Sequence, residues 1–189
     1  MKTTRTSLLR RVKDYADRTA WSEFHKLYAP LIYRYVRARG LPRDAAEEVR
    51  DQCLEIVTRK IPDFSYSKSK GGFKNWLCTV ANSKLVDYLR KRREKHADSQ
   101  AVQALRAPDP SPDELWERHW HQEHLKYCVA SVRGSVSPAD YRVFQMLVLD
   151  GKSVSEVGTL TNLTANQVYK AKARVLGLVR ARLAELEMG

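Results

Sequence analysis

From Phe73 to Leu89 the apolar residues recur every three or four positions: Phe73, Trp76, Leu77, Val80, Ala81, Leu85, Tyr88 and Leu89. That period fits one face of an α-helix; a strand would alternate every second residue. The helix then runs directly into Arg90, Lys91, Arg92 and Arg93. A core-forming stripe thus ends in a cluster of cations that only an anion would neutralise. Asn82, Ser83, Lys84 and Asp87 lie off the stripe. A polar and basic face beside aromatic rings suits a strand with unstacked bases, because phosphates meet the cations and bases meet the rings. Trp76 lies on the stripe itself, where an indole more often packs in a core than stacks on a base.

The same reasoning makes the whole chain helical. No run of alternating β-branched residues and no internal repeat is present, so the expected fold class is all-α. Gly40 closes one helix, and Pro42 with Asp44 opens the next. In the second half, helix starts are marked by Ser or Thr followed three residues later by an acid or Gln: Ser111–Glu114, Ser137–Asp140, Ser153–Glu156 and Thr164–Gln167. Between the halves, residues 96–112 are acidic and carry Pro108, Pro110 and Pro112, the composition of a flexible linker. The expected organisation is therefore two small helical domains, 1–95 and 113–189, joined by that linker.

Charge follows the same division. The chain carries a net charge of +12; residues 1–93 hold 22 Lys/Arg against 10 Asp/Glu, residues 94–114 hold 2 against 5, and residues 115–189 hold 10 against 7. Two basic blocks flank an acidic bridge, which points to a polyanionic partner. One acidic patch interrupts the first block: Asp44, Glu47, Glu48 and Asp51, on one predicted helix. Carboxylates facing DNA would be repelled, so the patch suits either a basic protein surface or its own basic neighbours.

The segment 153–183 has the pattern of a helix-turn-helix. Val154, Val157 and Leu160 mark one face of a short helix, residues 161–163 make the turn, and a longer helix begins at Thr164. In it Val168, Ala171, Val175 and Leu176 point inward, while Asn166, Gln167, Tyr169, Lys170 and Arg174 form an outer face. Such a helix enters a major groove, where Asn and Gln can read adenine edges and Lys and Arg can read guanine or hold phosphates. The hydrophobic pattern alone fits a solvated helical hairpin equally well.

Other function classes find little support. Three isolated cysteines, Cys53, Cys78 and Cys128, without a CxxC pair suit reduced thiols in a cytoplasm. No apolar run approaches the ~18 residues of a membrane span, and the N-terminus lacks the apolar segment of a secretory signal. His124 and Cys128 are spaced i, i+4, with His121 nearby, but spacing alone is weak support for a metal site. The basic stretch 67–72 has two glycines and no phosphate-binding pattern. No catalytic constellation is present, and neither an enzyme nor a cofactor is expected. Trp116 and Trp120, at i, i+4, are expected to pack against the helix-turn-helix or, alternatively, to face a regulatory partner.

Taken in order, "WSEFHKLYAPLIYRYVRARGLPRDAAEEVRDQCLEIV", "FKNWLCTVANSKLVDYLRKRR", a linker, and "SPADYRVFQMLVLDGKSVSEVGTLTNLTANQVYKAKARVL" resemble the extracytoplasmic-function class of bacterial sigma factors over nearly the whole chain. The resemblance implies a region 2-like bundle, a linker threading polymerase channels and a region 4-like helix-turn-helix domain. It implies binding to core RNA polymerase, to its β and β′ subunits, and recognition of promoter DNA. Asp44, Glu47, Glu48 and Asp51 would dock on the β′ clamp helices. Trp76, Asn82, Ser83, Lys84, Asp87 and Tyr88 would meet the −10 element, around a captured non-template base, with Arg90, Lys91, Arg92 and Arg93 on phosphates. Thr164, Asn166, Gln167, Tyr169, Lys170, Lys172 and Arg174 would meet the −35 element. An anti-sigma protein is a further candidate partner. The chain departs from the family pattern at Arg50 and Cys53, where glutamine and an aromatic are usual. It departs also at Ser83, with Asn82 one place early, at Gly158 and at Ala171. Promoter sequence does not carry over. The competing readings are a stand-alone helix-turn-helix regulator and a metal-dependent enzyme acting on nucleic acid.

Overall fold

A computed structural model describes residues 6–64, 72–95 and 112–187. The linker 96–111, the proposed cap Ser111 and most of the basic stretch 67–72 lie outside the described residues. Among those described there is no strand, in keeping with the all-α expectation. The helices are α1 (Thr6–Arg11), α2 (Arg18–Ala38), α3 (Arg43–Lys60), α4 (Gly72–Lys95), α5 (Pro112–Ser131), α6 (Pro138–Phe144), α7 (Val154–Thr161) and α8 (Ala165–Glu187). They belong to two compact units, one ending at Glu123 and the other beginning at His124. The division falls inside α5 rather than at its start.

In the first unit α2 is the central element, packed against α3 and α4. Its N-terminus is fixed by Asp17, whose carboxylate accepts from the Ala20 amide at 2.9 Å and from Arg11 Nε at 2.7 Å. Phe24, Leu27, Tyr28, Leu31, Ile32, Tyr35 and Val36 form its buried face at three- and four-residue spacing. The helix ends at Gly40, with φ of 92°, and the Leu41 amide donates back to the Val36 carbonyl at 3.3 Å. That is a six-to-one closure, which needs the left-handed residue glycine supplies. On α3 the inward residues are small, Ala45, Ala46, Val49, Cys53 and Val57, and all are buried. From α4, Phe73, Leu77, Val80, Ala81 and Leu85 complete the core, as the stripe predicts, together with Cys78, which the stripe does not include.

An aromatic cluster joins these helices. Phe24, Tyr28 and Phe73 meet with centroids 4.5–5.8 Å apart. Trp76 lies against Phe64 at 5.0 Å and Phe73 at 5.5 Å, so much of its indole belongs to the cluster. The cluster is extended from α5. Trp116 meets Tyr35 edge-on at 5.0 Å, and Trp120 is tilted against Tyr28 at 5.8 Å. The expectation that this tryptophan pair packs against the helix-turn-helix is therefore corrected: both rings seal the first unit. Two large indoles find face and edge partners among Tyr28 and Tyr35, whereas the buried cores of the second unit contain a single aromatic, Phe144.

The second unit has two small cores. One holds Cys128, Val132, Phe144, Val175 and Val179; the other holds Val143, Met146, Val157, Val168 and Ala171. Its helix starts are fixed locally. Ser137 accepts from the Asp140 amide at 3.0 Å, Ser153 and Glu156 form a reciprocal capping box, and so do Thr164 and Gln167. Leu160 is 62% exposed, not inward as the helical pattern suggests, because the short α7 uses Val157 and part of Val154 for packing. Asn162 takes the left-handed turn conformation, with φ of 54°. Gly158 also has a physical reason: a Cβ there would stand 2.9 Å from the Leu163 carbonyl oxygen. The turn passes too close to α7 for any side chain at that position.

Candidate nucleic-acid interface and acidic docking helix

The outer face of α4 carries Ser83, Asp87, Arg90 and Lys91 at helical spacing, with Trp76 two turns before Ser83 on the same side. Asp87 lies between two cations, 3.4 Å from Lys84 Nζ and 3.7 Å from Arg90. These exposed pairs hold the side chains loosely, and an arriving phosphate can compete for the cations. Tyr88 and Arg92 are half-buried, and Lys91 is exposed. The Arg93 side chain lies outside the described residues. Val86, 61% exposed on the same face, was not expected from the stripe. It could have been found as an apolar residue out of phase.

Asn82 is placed differently from the rest of this set. The Tyr35 hydroxyl donates to its Oδ1 at 2.5 Å, and its Nδ2 donates to Cys78 Sγ at 3.4 Å. The side chain ties α4 to α2 rather than facing outward. Burial pushes the Tyr35 hydroxyl up to about 12 and the Cys78 thiol up to about 11. Both groups are therefore neutral partners in this network at ordinary pH.

On α3, Asp44, Glu47, Glu48 and Asp51 fall at i, i+3, i+4 and i+7, which is one face. Each of three has a local partner. Glu47 pairs with Arg43 at 3.1 Å, Glu48 accepts from Gln52 at 2.9 Å, and Asp51 accepts from Arg50 at 2.7 Å. The Arg50 hydrogen bond is the main reason that Asp51 titrates below the usual carboxylate range. Arg50 thus favours the ionised form of Asp51 while making the patch less negative overall.

On α8, Asn166, Tyr169, Lys170 and Ala173 form one exposed face, with Tyr169 56% exposed. Thr164 is the helix cap. Gln167 lies at the edge of the face, and its Oε1 accepts from the Thr164 amide at 2.8 Å and hydroxyl at 3.0 Å. Arg174 also lies at the edge and is paired with Asp140 of α6 at 2.6 Å. Lys172 is half-buried on the opposite flank, beside the inward residues. The face is therefore narrower than the sequence pattern predicts. His124 and Cys128 are both buried in α5, and His121 is exposed. Among the described residues no three His, Cys, Asp or Glu side chains converge as a metal site, and no helix is long and apolar enough to cross a membrane.

Comparison with known proteins bears mainly on the first unit. Residues 24–95 match the family Sigma-70 region 2, a span that covers most of α2 and all of α3 and α4. The chain is also similar to the ECF RNA polymerase sigma factor RpoE of Cereibacter sphaeroides, with 25% identity over 120 residues. That alignment covers 64% of this chain and 63% of the relative's length. The segment that holds α3, α4 and most of α2 is thus similar to a Sigma-70 region 2, and the likeness of the chain runs to an extracytoplasmic-function sigma factor.

Proposed function

We propose that the chain is a specificity subunit of RNA polymerase, which joins the catalytic core and directs it to promoters. The observation that carries this reading is the Sigma-70 region 2 match on the segment where an acidic helix and a basic helix share one bundle. In it Asp44, Glu48 and Asp51 of α3 meet a basic surface of the core. The outer face of α4, from Trp76 and Ser83 to Arg90 and Lys91, meets the −10 element as its strands separate. The exposed face of α8, centred on Asn166, Tyr169 and Lys170, meets duplex DNA at the −35 element. Binding energy taken up on unstacked bases favours the melted promoter over the closed one. No catalytic step is assigned to the chain itself.

The test is co-purification with core RNA polymerase, followed by transcription from candidate promoters, including that of the chain's own gene. The expected result is a one-to-one complex that starts transcripts at defined positions. Absence of a complex, with tight duplex binding by the chain alone, would replace this reading with that of a stand-alone regulator.

A further inference from the structure

In the second unit, α6 and the turn that follows it form one wall of a cleft, and the end of α7 forms another. Tyr141, Arg142 and Gln145 share one side of α6 and its continuation, at three- and four-residue spacing. The continuation is a π-helical turn, Gln145–Leu149, in which the Asp150 amide donates to the Gln145 carbonyl at 3.0 Å. Such turns recur at functional sites. Gly151, with φ of 70°, then reverses the chain, and the Lys152 amide closes on the Met146 carbonyl at 2.9 Å. The cleft holds about 620 Å³, within the range of small-ligand sites. None of its lining residues comes from α8, so it shares no side chain with the face assigned to duplex DNA.

The lining is cationic with one apolar side. Arg133, Arg142 and Lys152 contribute to it, and Asp150 is the one carboxylate among the lining residues. All four are exposed. Arg133 lies over the Tyr141 ring, 5.7 Å from its centroid, and neither Arg142 nor Lys152 forms an ion pair with a described residue. The field of Lys152 reaches Glu156, whose carboxylate is already bound at Ser153. Three cations against one carboxylate leave two positive charges in the cleft. A phosphate monoester carries about −1.5 to −2 at pH 7 and accepts the charge-assisted hydrogen bonds that Arg and Lys donate. The apolar side is supplied by Leu160, 62% exposed, and by the largely buried Met146. A nucleobase has a flat apolar face to cover that side; a bare phosphate has none.

We propose that this cleft is a binding site for a nucleoside monophosphate, with the phosphate between Arg133, Arg142 and Lys152 and the base against Leu160 and Met146. Neither the cleft nor its test depends on the polymerase role. The probe is AMP, titrated calorimetrically into the full chain, with inorganic phosphate and adenosine as its two halves. AMP is expected to bind saturably at one site, and each half about tenfold more weakly. Arg142→Gln and Lys152→Gln, at exposed positions outside both cores, should each weaken AMP about tenfold. Arg180→Gln removes the same charge from an exposed position of α8 and should leave AMP binding unchanged. Leu160→Asn should weaken AMP and leave phosphate unchanged. Absence of saturable AMP binding overturns the proposal. Phosphate bound as tightly as AMP makes the cleft a simple anion site and overturns the nucleotide. Equal losses at Arg142, Lys152 and Arg180 mean attraction by net charge alone, and no site. Loss of duplex binding in Arg142→Gln and Lys152→Gln, with no AMP binding by the unaltered chain, assigns these cations to DNA phosphates and overturns the proposal.

Discussion

The two units solve the same problem by different means. The first is stabilised by distant residues. All four tryptophans, Trp21, Trp76, Trp116 and Trp120, belong to it, and Trp116 meets Tyr35 across 81 residues of chain. The second has no tryptophan, and its small cores are built mainly from Val, Met and Ala around Phe144. Its helix starts are fixed by the caps at Ser137, Ser153 and Thr164, each satisfied within three residues. The contrast teaches where function can be placed. The unit with local caps leaves the outer face of α8 free, whereas the unit with long-range contacts commits Asn82 and part of Trp76 to its own core.

The largest test of this contrast is Trp116→Ala. Removing a fully buried indole should cost about 3–5 kcal/mol, and only in the first unit. Tryptophan fluorescence should show an early transition, while the helical signal of the second unit persists. A single shared transition lowered as a whole would break the comparison. Next come two substitutions that separate the units by function. Asp51→Arg should weaken core-polymerase binding tenfold or more, about 1.4 kcal/mol, and leave duplex binding through α8 unchanged. Lys170→Ala should do the reverse, lowering duplex affinity and reducing its salt dependence by about one counterion. Equal effects of both on one readout would show that the faces are misassigned.

A smaller effect is expected at Gly158→Ala. Alanine favours a helix over glycine by about 1 kcal/mol, but overpacking costs about 1–3 kcal/mol, and the close atom is the Leu163 backbone carbonyl. A net loss of about 1 kcal/mol in the second unit follows from these magnitudes; a rise in its melting temperature would show that the turn can yield. The smallest effect is one of pH. The Arg11 hydrogen bond, with that of the Ala20 amide, holds Asp17 below its usual value of 3.8. A depressed carboxylate stabilises the fold fully above that value, and the contribution is lost as pH falls through the lower folded value. Asp17→Asn should therefore flatten the acid side of the first unit's stability profile. An unchanged slope below pH 4 would remove Asp17 from the account.

Much of the fold was legible because its signals are local. The helical period of 73–89, the Gly40 stop and the caps at Ser137, Ser153 and Thr164 depend on neighbours within one or two turns, and each lies where the pattern puts it. The acidic face of α3 was equally legible, since i, i+3, i+4 and i+7 must share a side. Asn82 and Gln167 were less so. A polar residue off an apolar stripe reads as outward, yet Asn82 finds Tyr35, 47 residues earlier, and Gln167 closes its own helix cap. Leu160 failed for a related reason: α7 is too short to bury every residue on its apolar side.

By itself the sequence determined the helical class, the helix ends, the charge division and the likeness to a sigma factor, because periodicity, capping and charge order are properties of neighbouring residues. Only the tertiary structure decided which side chains are free to act. Trp116 and Trp120 are the clearest case: their i, i+4 spacing places them on one face, but the partner of that face is fixed by Tyr28 and Tyr35 and by the cations Arg34 and Lys74, which come from far along the chain. Spacing specifies a direction around a helix, and only packing specifies what lies in that direction.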